Sequence, residues 1–197
     1  MYFSEPFGGV VPGARGAVLA ALMRTGTPMT GRQIHGLLAD RYSLWTVQQA
    51  LKESAQLGLT STAVVGRAGV HSINEDHVAI VALRRLLSPI DNLADVVRDA
   101  CEDDIQAVIL FGSVARGEAQ PASDVDLAVI APPTWDGRIR LEDAVRSRLG
   151  NECDIIHLSM EQFLAQPTRR EPVVAEILRD GIALLGEVPR ADLRSAS

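Results

Sequence analysis

The feature that most limits what this chain can become is an apolar strand that runs straight into a glycine and a serine. Ile105-Gln106-Ala107-Val108-Ile109-Leu110-Phe111 has the length and composition of a buried strand, and it gives way to Gly112-Ser113-Val114-Ala115-Arg116-Gly117. Eleven residues after Ser113 comes Asp124, which opens a second strand, Asp124-Val125-Asp126-Leu127-Ala128-Val129-Ile130. Residues two apart on a strand share a face, so the Asp124 and Asp126 carboxylates point the same way. Two like charges on one sheet face are costly unless something positive sits between them. A hard divalent cation such as Mg²⁺, which prefers oxygen ligands, meets that need. The rest of the second strand is apolar, so it is expected to be buried with its acidic end at a mouth.

A helix near 137–149 (Ile139, Leu141, Val145, Leu149) leads into a third short strand, Cys153-Asp154-Ile155-Ile156-His157-Leu158, with an acid near its start. If that strand lies beside the second, Asp154 joins Asp124 and Asp126. Three carboxylates can hold two metal ions ~3.5–4 Å apart, and such a pair can clamp the attacking and leaving oxygens of a phosphoryl transfer. A strand running into Gly112-Ser113 at a helix start exposes backbone N–H groups and a hydroxyl, which attract phosphate. Glycine lets phosphate approach with no Cβ in the way. Arg116, one turn on, can pair with a phosphate oxygen in a forked geometry. A last helix over 172–185 (Val173, Val174, Ile177, Leu178, Ile182) is expected to cover one sheet face.

Gly112-Ser113, ten residues, then Asp124-Val125-Asp126 resembles the signature of the nucleotidyltransferase superfamily related to DNA polymerase β. The fuller string, Gly112 through Gly117 and Ser123 through Leu127, is similar to the small bacterial and archaeal minimal nucleotidyltransferases, over about residues 85–186. The resemblance implies that Gly112 and Ser113 hold a triphosphate and that Asp124 and Asp126 bind Mg²⁺. It matches Asp154 to the third acidic position, often credited with activating the acceptor hydroxyl, and Arg116 to a common family residue. It implies transfer of a nucleoside monophosphate from NTP to an acceptor, with release of pyrophosphate. Acceptors in the family include antibiotics, tRNA, other nucleotides and protein hydroxyls, notably in toxin–antitoxin systems.

The first 76 residues read differently. Residues 14–24 form a helical pattern through Val18, Leu19, Leu22 and Met23, and Gly26-Thr27-Pro28 breaks it. Thr30 and Gln33 have capping-box spacing for a second helix with Ile34, Leu37 and Leu38 on its buried stripe. Ser43 can cap a third helix through Leu57, with Leu44, Val47, Ala50 and Leu51 inward. Thr60–Val65 and Val70–Ile73 around Gly66-Arg67-Ala68-Gly69 signal a hairpin. Three helices and a hairpin resemble a winged helix-turn-helix domain, which implies a DNA interface on the third helix and the wing. Its candidate contacts are Thr46, Gln48, Gln49, Lys52 and Arg67. A second helical stretch, 76–101, breaks at Ser88-Pro89; Asp76 or Asn74 could cap it, and Val78, Val81 and Ala82 begin its stripe. Trp45 and Trp135 are expected to be packing residues.

The fold class expected is therefore α+β. A winged helix-turn-helix-like domain over 1–76 precedes a small mixed-sheet nucleotidyltransferase domain over 77–197 flanked by helices, with a linking helix about 77–101. Charge divides along the same line. The portion to Glu75 has six basic and four acidic residues, and the remainder has 13 and 21. The overall net charge of −6 argues against coating nucleic acid non-specifically. No apolar run approaches the ~20 residues of a membrane span. The start has no secretory pattern, and Cys101 and Cys153 cannot make a disulfide framework or a four-thiolate zinc site. A reduced, cytoplasmic setting is expected.

The function expected is a Mg²⁺-dependent nucleotidyltransferase using two ions and an NTP. Its acceptor is a protein or RNA hydroxyl sooner than an antibiotic, and its partners are a second copy or a cognate protein, with DNA at the N-terminal domain. Two alternatives stand beside it: a DNA-binding regulator whose nucleotidyltransferase fold senses nucleotide or is inactive, and an aminoglycoside-type small-molecule enzyme.

Overall fold

Helices whose apolar faces meet build the first part of the molecule, and a four-stranded sheet with helices on both faces builds the rest. The computed structural model describes residues 1–101, 104–121, 123–165 and 172–189. The chain falls into two units, Glu5–Pro89 and Met1–Ser4 with Ile90–Ser197.

In the first unit, helix α1 (Gly13–Thr25) is followed by strand β1 (Met29–Thr30), helices α2 (Gly31–Leu38) and α3 (Leu44–Gln56), strands β2 (Thr60–Val65) and β3 (Ala68–Ile73), and helix α4 (Ala79–Leu86). Apolar residues surround most of α1, and it is buried on two sides. Leu19, Ala20 and Met23 pack with Phe7, Leu59 and Ile80, while Val18 and Leu22 pack with Ile34, Val47 and Leu51. Thr30 and Gln33 form the expected capping box: the Gln33 N–H donates to Thr30 Oγ1 at 3.3 Å and the Thr30 N–H to Gln33 Oε1 at 2.8 Å. Ser43 caps α3 through the Thr46 N–H, at 3.2 Å. The hairpin pairs Thr60 with Ile73 through Val65 with Ala68. The two-residue β1, which was not expected, joins it on the other side to give the order β1-β3-β2.

Three apolar assignments in this unit need correction. Leu37 is exposed, because the eight-residue α2 turns only Ile34 fully inward. Trp45 is 72% exposed on the outer side of α3, so it is no packing residue. Val78 and Val81 are exposed; α4 begins at Ala79 and buries Ile80, with Leu83, Leu86 and Leu87 leaning on the same cluster. The inward row is thus 80, 83, 87, out of phase with the expected one. Neither Asp76 nor Asn74 caps α4: the residue at its cap is Val78, and Asn74 Nδ2 donates to the Gly58 carbonyl.

The second unit runs α5 (Pro89–Ala100), β4 (Ala107–Phe111), α6 (Gly112–Ala115), β5 (Val125–Ile130), α7 (Arg138–Leu149), β6 (Cys153–Leu158), α8 (Met160–Ala165), α9 (Pro172–Asp180) and β7 (Ile182–Gly186). The sheet order is β6-β5-β4-β7. β5 and β6 are parallel, joined through α7 as a parallel pair requires; β4 pairs antiparallel with β5 and β7. Strand parity sorts the core. Val108, Leu110, Val125, Leu127, Val129 and Ile155 face α5 and α7, meeting Leu93, Val97, Leu141 and Val145. Ala107, Ile109, Phe111, Ala128 and Ile130 face α8 and α9, meeting Phe163, Val174 and Ile177. Ile139 is exposed, not on the α7 stripe.

The expected helix over 172–185 ends at Asp180, and Ile182–Gly186 is an edge strand on β4. The spacing 173, 174, 177, 178, 182 imitates a continuing helical face. Gly181 is where it stops, since the chain there lies so close that a Cβ would sit 2.3 Å from the Ile177 carbonyl oxygen. Among the described residues no helix is long and apolar enough to cross a membrane.

Candidate active site

Register brings two of the three sequence-predicted acids together. Asp126 on β5 is the pairing partner of Phe111 on β4 and of Asp154 on β6. Asp126 shares its strand face with Ala128 and Ile130, and Asp154 shares its face with Ile156, so both lie on the sheet face that α8 and α9 cover. Asp124 immediately precedes β5. Asp124 and Asp154 are exposed and Asp126 is half-buried. The Asp126 carboxyl is held above the usual carboxylate range, first by burial and then by the charges of Asp154, Asp124 and Glu176; the Arg116 guanidinium works in the opposite sense.

Gly112 is in place because nothing else fits. Its φ is +70°, a region that side chains rarely adopt. A Cβ there would lie 2.1 Å from Asp126 Oδ2 and 2.9 Å from its Cγ. The turn out of β4 is therefore packed directly on the Asp126 side chain, with the half-buried Ser113 next along α6. Arg116 ends α6. Its Nε donates to Glu118 Oε2 at 2.8 Å and its Nη1 to Glu176 Oε1 on α9. Sequence reasoning missed Glu176, which lies 50 residues beyond Asp126; no local pattern marks it, and only the packing of α9 on the sheet brings it to this corner.

Among the described residues, no group of three His, Cys, Asp or Glu side chains is arranged to hold a metal ion as it stands. The chemistry of the donor set nevertheless suits a hard divalent cation. Its donors are carboxylate oxygens, and burial followed by the charges of the neighbouring carboxylates raises the pKa of the most buried of them. Cys153 is buried on β6 and Cys101 is partly buried after α5. Burial pushes their thiols up to about 12 and about 11, so both stay protonated and neither offers a thiolate. Trp135 is buried, edge-on to His157 with ring centroids 5.0 Å apart.

The residues proposed to touch DNA separate into two places within the first unit. Gln48 and Arg67 line a groove of about 570 Å³ with Arg32 and His71, between the start of α2 and the hairpin. Thr46 and Gln49 line a different groove beside Trp45. There the Thr46 hydroxyl bonds Ser43 Oγ and Gln49 donates to Glu53. Lys52 is exposed on α3. Arg32 and His71 are additions that sequence reasoning did not make. His71 Nδ1 lies 3.0 Å from Thr62 Oγ1, and burial lowers its pKa, so the groove's positive charge comes from the two arginines.

Residues 93–186 match the family described as Polymerase beta, Nucleotidyltransferase. No curated protein matches the chain. Among solved structures, a toxin–antitoxin with AMP-PNP is similar at 25% identity and a TM-score of 0.37, covering 50% of this chain and 74% of its own. A tri-AMPylated Shewanella oneidensis HEPN toxin in complex with MNT antitoxin is similar at 24% identity and a TM-score of 0.33, covering 50% and 70%. The match over 93–186 coincides with the sheet that carries Gly112, Ser113, Asp124, Asp126 and Asp154. That stretch, just under half of the chain, is similar to a nucleotidyltransferase domain of the polymerase β kind, and the match supports a nucleotidyltransferase.

Proposed function

We propose that the protein moves a nucleoside monophosphate from an NTP to a hydroxyl on a protein or RNA acceptor, in a Mg²⁺-dependent reaction. The observation that carries this reading is the register that sets Asp126 beside Asp154, with the Gly112 backbone packed against the Asp126 carboxylate. Asp124, Asp126 and Asp154 would hold Mg²⁺, one ion or two, which would neutralise the triphosphate. Ser113 and the backbone N–H groups of the Gly112 turn bind the phosphates. Asp154, exposed at the start of β6, takes the proton from the acceptor hydroxyl as that oxygen attacks the α-phosphate in line, the bond to the bridging oxygen breaks and pyrophosphate leaves. Catalysis is then mainly positioning and charge neutralisation. The exposure of Asp124 and Asp154 favours a macromolecular acceptor, because small-molecule sites bury most of their ligand. A cognate protein of the toxin–antitoxin kind that the family resemblance implies, or a second copy, suits such an open corner.

Titration with ATP, GTP, CTP and UTP in the presence of Mg²⁺ tests the reading. One of them binds the wild type, and binding falls in Asp126→Asn. No binding to any, or binding unchanged by the substitution, removes it. Incubation of the active protein with α-labelled NTP and cell extract then shows whether label lands on protein, RNA or small molecules.

The first unit reads as a winged helix that contacts nucleic-acid phosphate, and the specific support is the groove with Arg32, Gln48 and Arg67. Fluorescence anisotropy with the DNA upstream of its own gene tests this. Binding weakens with salt and in Arg67→Ala, and a signal that ignores both removes the reading.

A further inference from the structure

Two carboxylates grip the Arg116 guanidinium from different elements. Glu118 follows α6 in the chain, whereas Glu176 comes from α9, 60 residues on. The Arg116 and Glu176 side chains are 31% and 28% exposed. By contrast, Arg98–Asp95 and Arg146–Glu152 are more than half exposed on both sides. The Arg116 and Glu176 side chains are thus less open to solvent than those of these two pairs, and the contact itself lies at the surface, held from two separate elements.

Both ends of the grip are anchored. On one side α9 presses Val174 and Ile177 into the cluster with Ile109 and Phe111, and the close approach at Gly181 fixes its end against β4. On the other, the Arg116 N–H donates back to the Gly112 carbonyl, four residues earlier in the turn. A free arginine side chain must give up much rotamer freedom when it binds. Here that freedom is already restricted in the folded protein. Nε and Nη1 each donate to a carboxylate, and a guanidinium has further N–H groups to offer in its fixed fork.

We propose that Glu176 is a positioning residue for nucleotide binding: it holds Arg116 in one orientation beside the Asp124–Asp126–Asp154 corner, so that the guanidinium meets a triphosphate oxygen already aimed. This rests on the nucleotidyltransferase reading above. Glu176 does not touch the nucleotide; it acts through Arg116. A side chain serving only to secure α9 would affect stability in every background, whereas one acting through Arg116 loses its influence on nucleotide when Arg116 is gone.

The test is a double-mutant cycle on the full chain. Dissociation constants are measured calorimetrically for AMP-PNP and for each Mg²⁺-NTP, in wild type, Glu176→Ala, Arg116→Ala and the double variant. Steady-state kinetics are run alongside. Glu176→Ala is expected to raise Kd and KM about five- to tenfold with kcat within about twofold. Arg116→Ala is expected to raise Kd at least as much, and the double variant to bind no more weakly than Arg116→Ala alone. Glu176→Gln, whose amide oxygen can still accept from Arg116, is expected to recover much of the loss, and it replaces the alanine variant if thermal melting shows that one unfolded. A wild type that binds nucleotide while Glu176→Ala binds equally or more tightly overturns the inference alone, as do two single effects that add. A wild type that binds none of the nucleotides brings down the inference together with the reading beneath it.

Discussion

Replacing Gly112 with alanine should do more damage than its single methyl suggests, and the geometry says how much. The backbone term comes first: φ of +70° costs a side-chain-bearing residue about 1 kcal/mol. The steric term comes second. The new Cβ would lie 2.1 Å from Asp126 Oδ2, 2.9 Å from Cγ and 3.3 Å from Cβ. Three successive atoms of one side chain stand in the way, so a small rotation of the carboxylate tip cannot clear it. Either Asp126 swings aside or the β4–β5 backbones part, and overpacking of this kind costs about 1–3 kcal/mol. The total is about 2–4 kcal/mol. Gly117 supplies the control. Its φ is +73° and nothing lies within 4 Å of its ideal Cβ, so Gly117→Ala should cost only the backbone term, about 1 kcal/mol. Urea unfolding followed by circular dichroism gives both numbers. Repeating Gly112→Ala in an Asp126→Ala background removes Oδ2 and Cγ, and should return at least about 1 kcal/mol of the loss as coupling. If Gly112→Ala and Gly117→Ala cost the same, or if the two sites simply add, the turn is not packed on the Asp126 carboxylate.

Three further outcomes follow from particular contacts. Because the Asp126 carboxyl titrates above its usual range in the fold, the folded state carries that charge at a cost. Stability is lost as pH rises from the unfolded pKa through the folded one, so in metal-free buffer Asp126→Asn should melt higher than wild type at pH 7, with the advantage vanishing below roughly pH 4. Cys153, buried with its thiol pushed up to about 12, should resist a thiol-disulfide reagent at pH 8 in the native protein and react promptly in urea; rapid native labelling at Cys153 would contradict the burial. Thr30→Ala removes the capping box of α2 and should destabilise the Glu5–Pro89 unit by about 1 kcal/mol in a thermal melt, leaving nucleotide binding unchanged.

Much of this molecule could be read from local pattern because local physics governs those parts. The capping box at Thr30 and Gln33, the cap at Ser43, the hairpin around Gly66 and the strands at 107–111, 125–130 and 153–158 depend on neighbours a few residues away. Asp124 lies near Asp126 because the two are only two residues apart in the chain, and the Gly112-Ser113 turn follows from its place after an apolar run. Periodicity misled where two structures share one spacing. The row 173, 174, 177, 178, 182 suits a helix, yet Gly181 lets the chain fold back so that Ile182–Gly186 pairs with β4. Likewise Val78 and Val81 have the right type and face outward, because the helix start at Ala79 sets the phase and side chains do not announce it.

The remaining facts depend on which strands become neighbours, and burial of both sheet faces decides that. Placing β6 parallel to β5 covers Ile155 and extends both apolar layers, and the same choice puts Asp154 at the register of Asp126. Packing α9 through Val174 and Ile177 onto β4 carries Glu176 to Arg116. Residues 60 apart in the chain share no local signal, so chain order could name the acids of the β5 end but not the glutamate that α9 brings to them. Periodicity and turn chemistry settle what is close along the chain; what meets across it is settled only when the core closes.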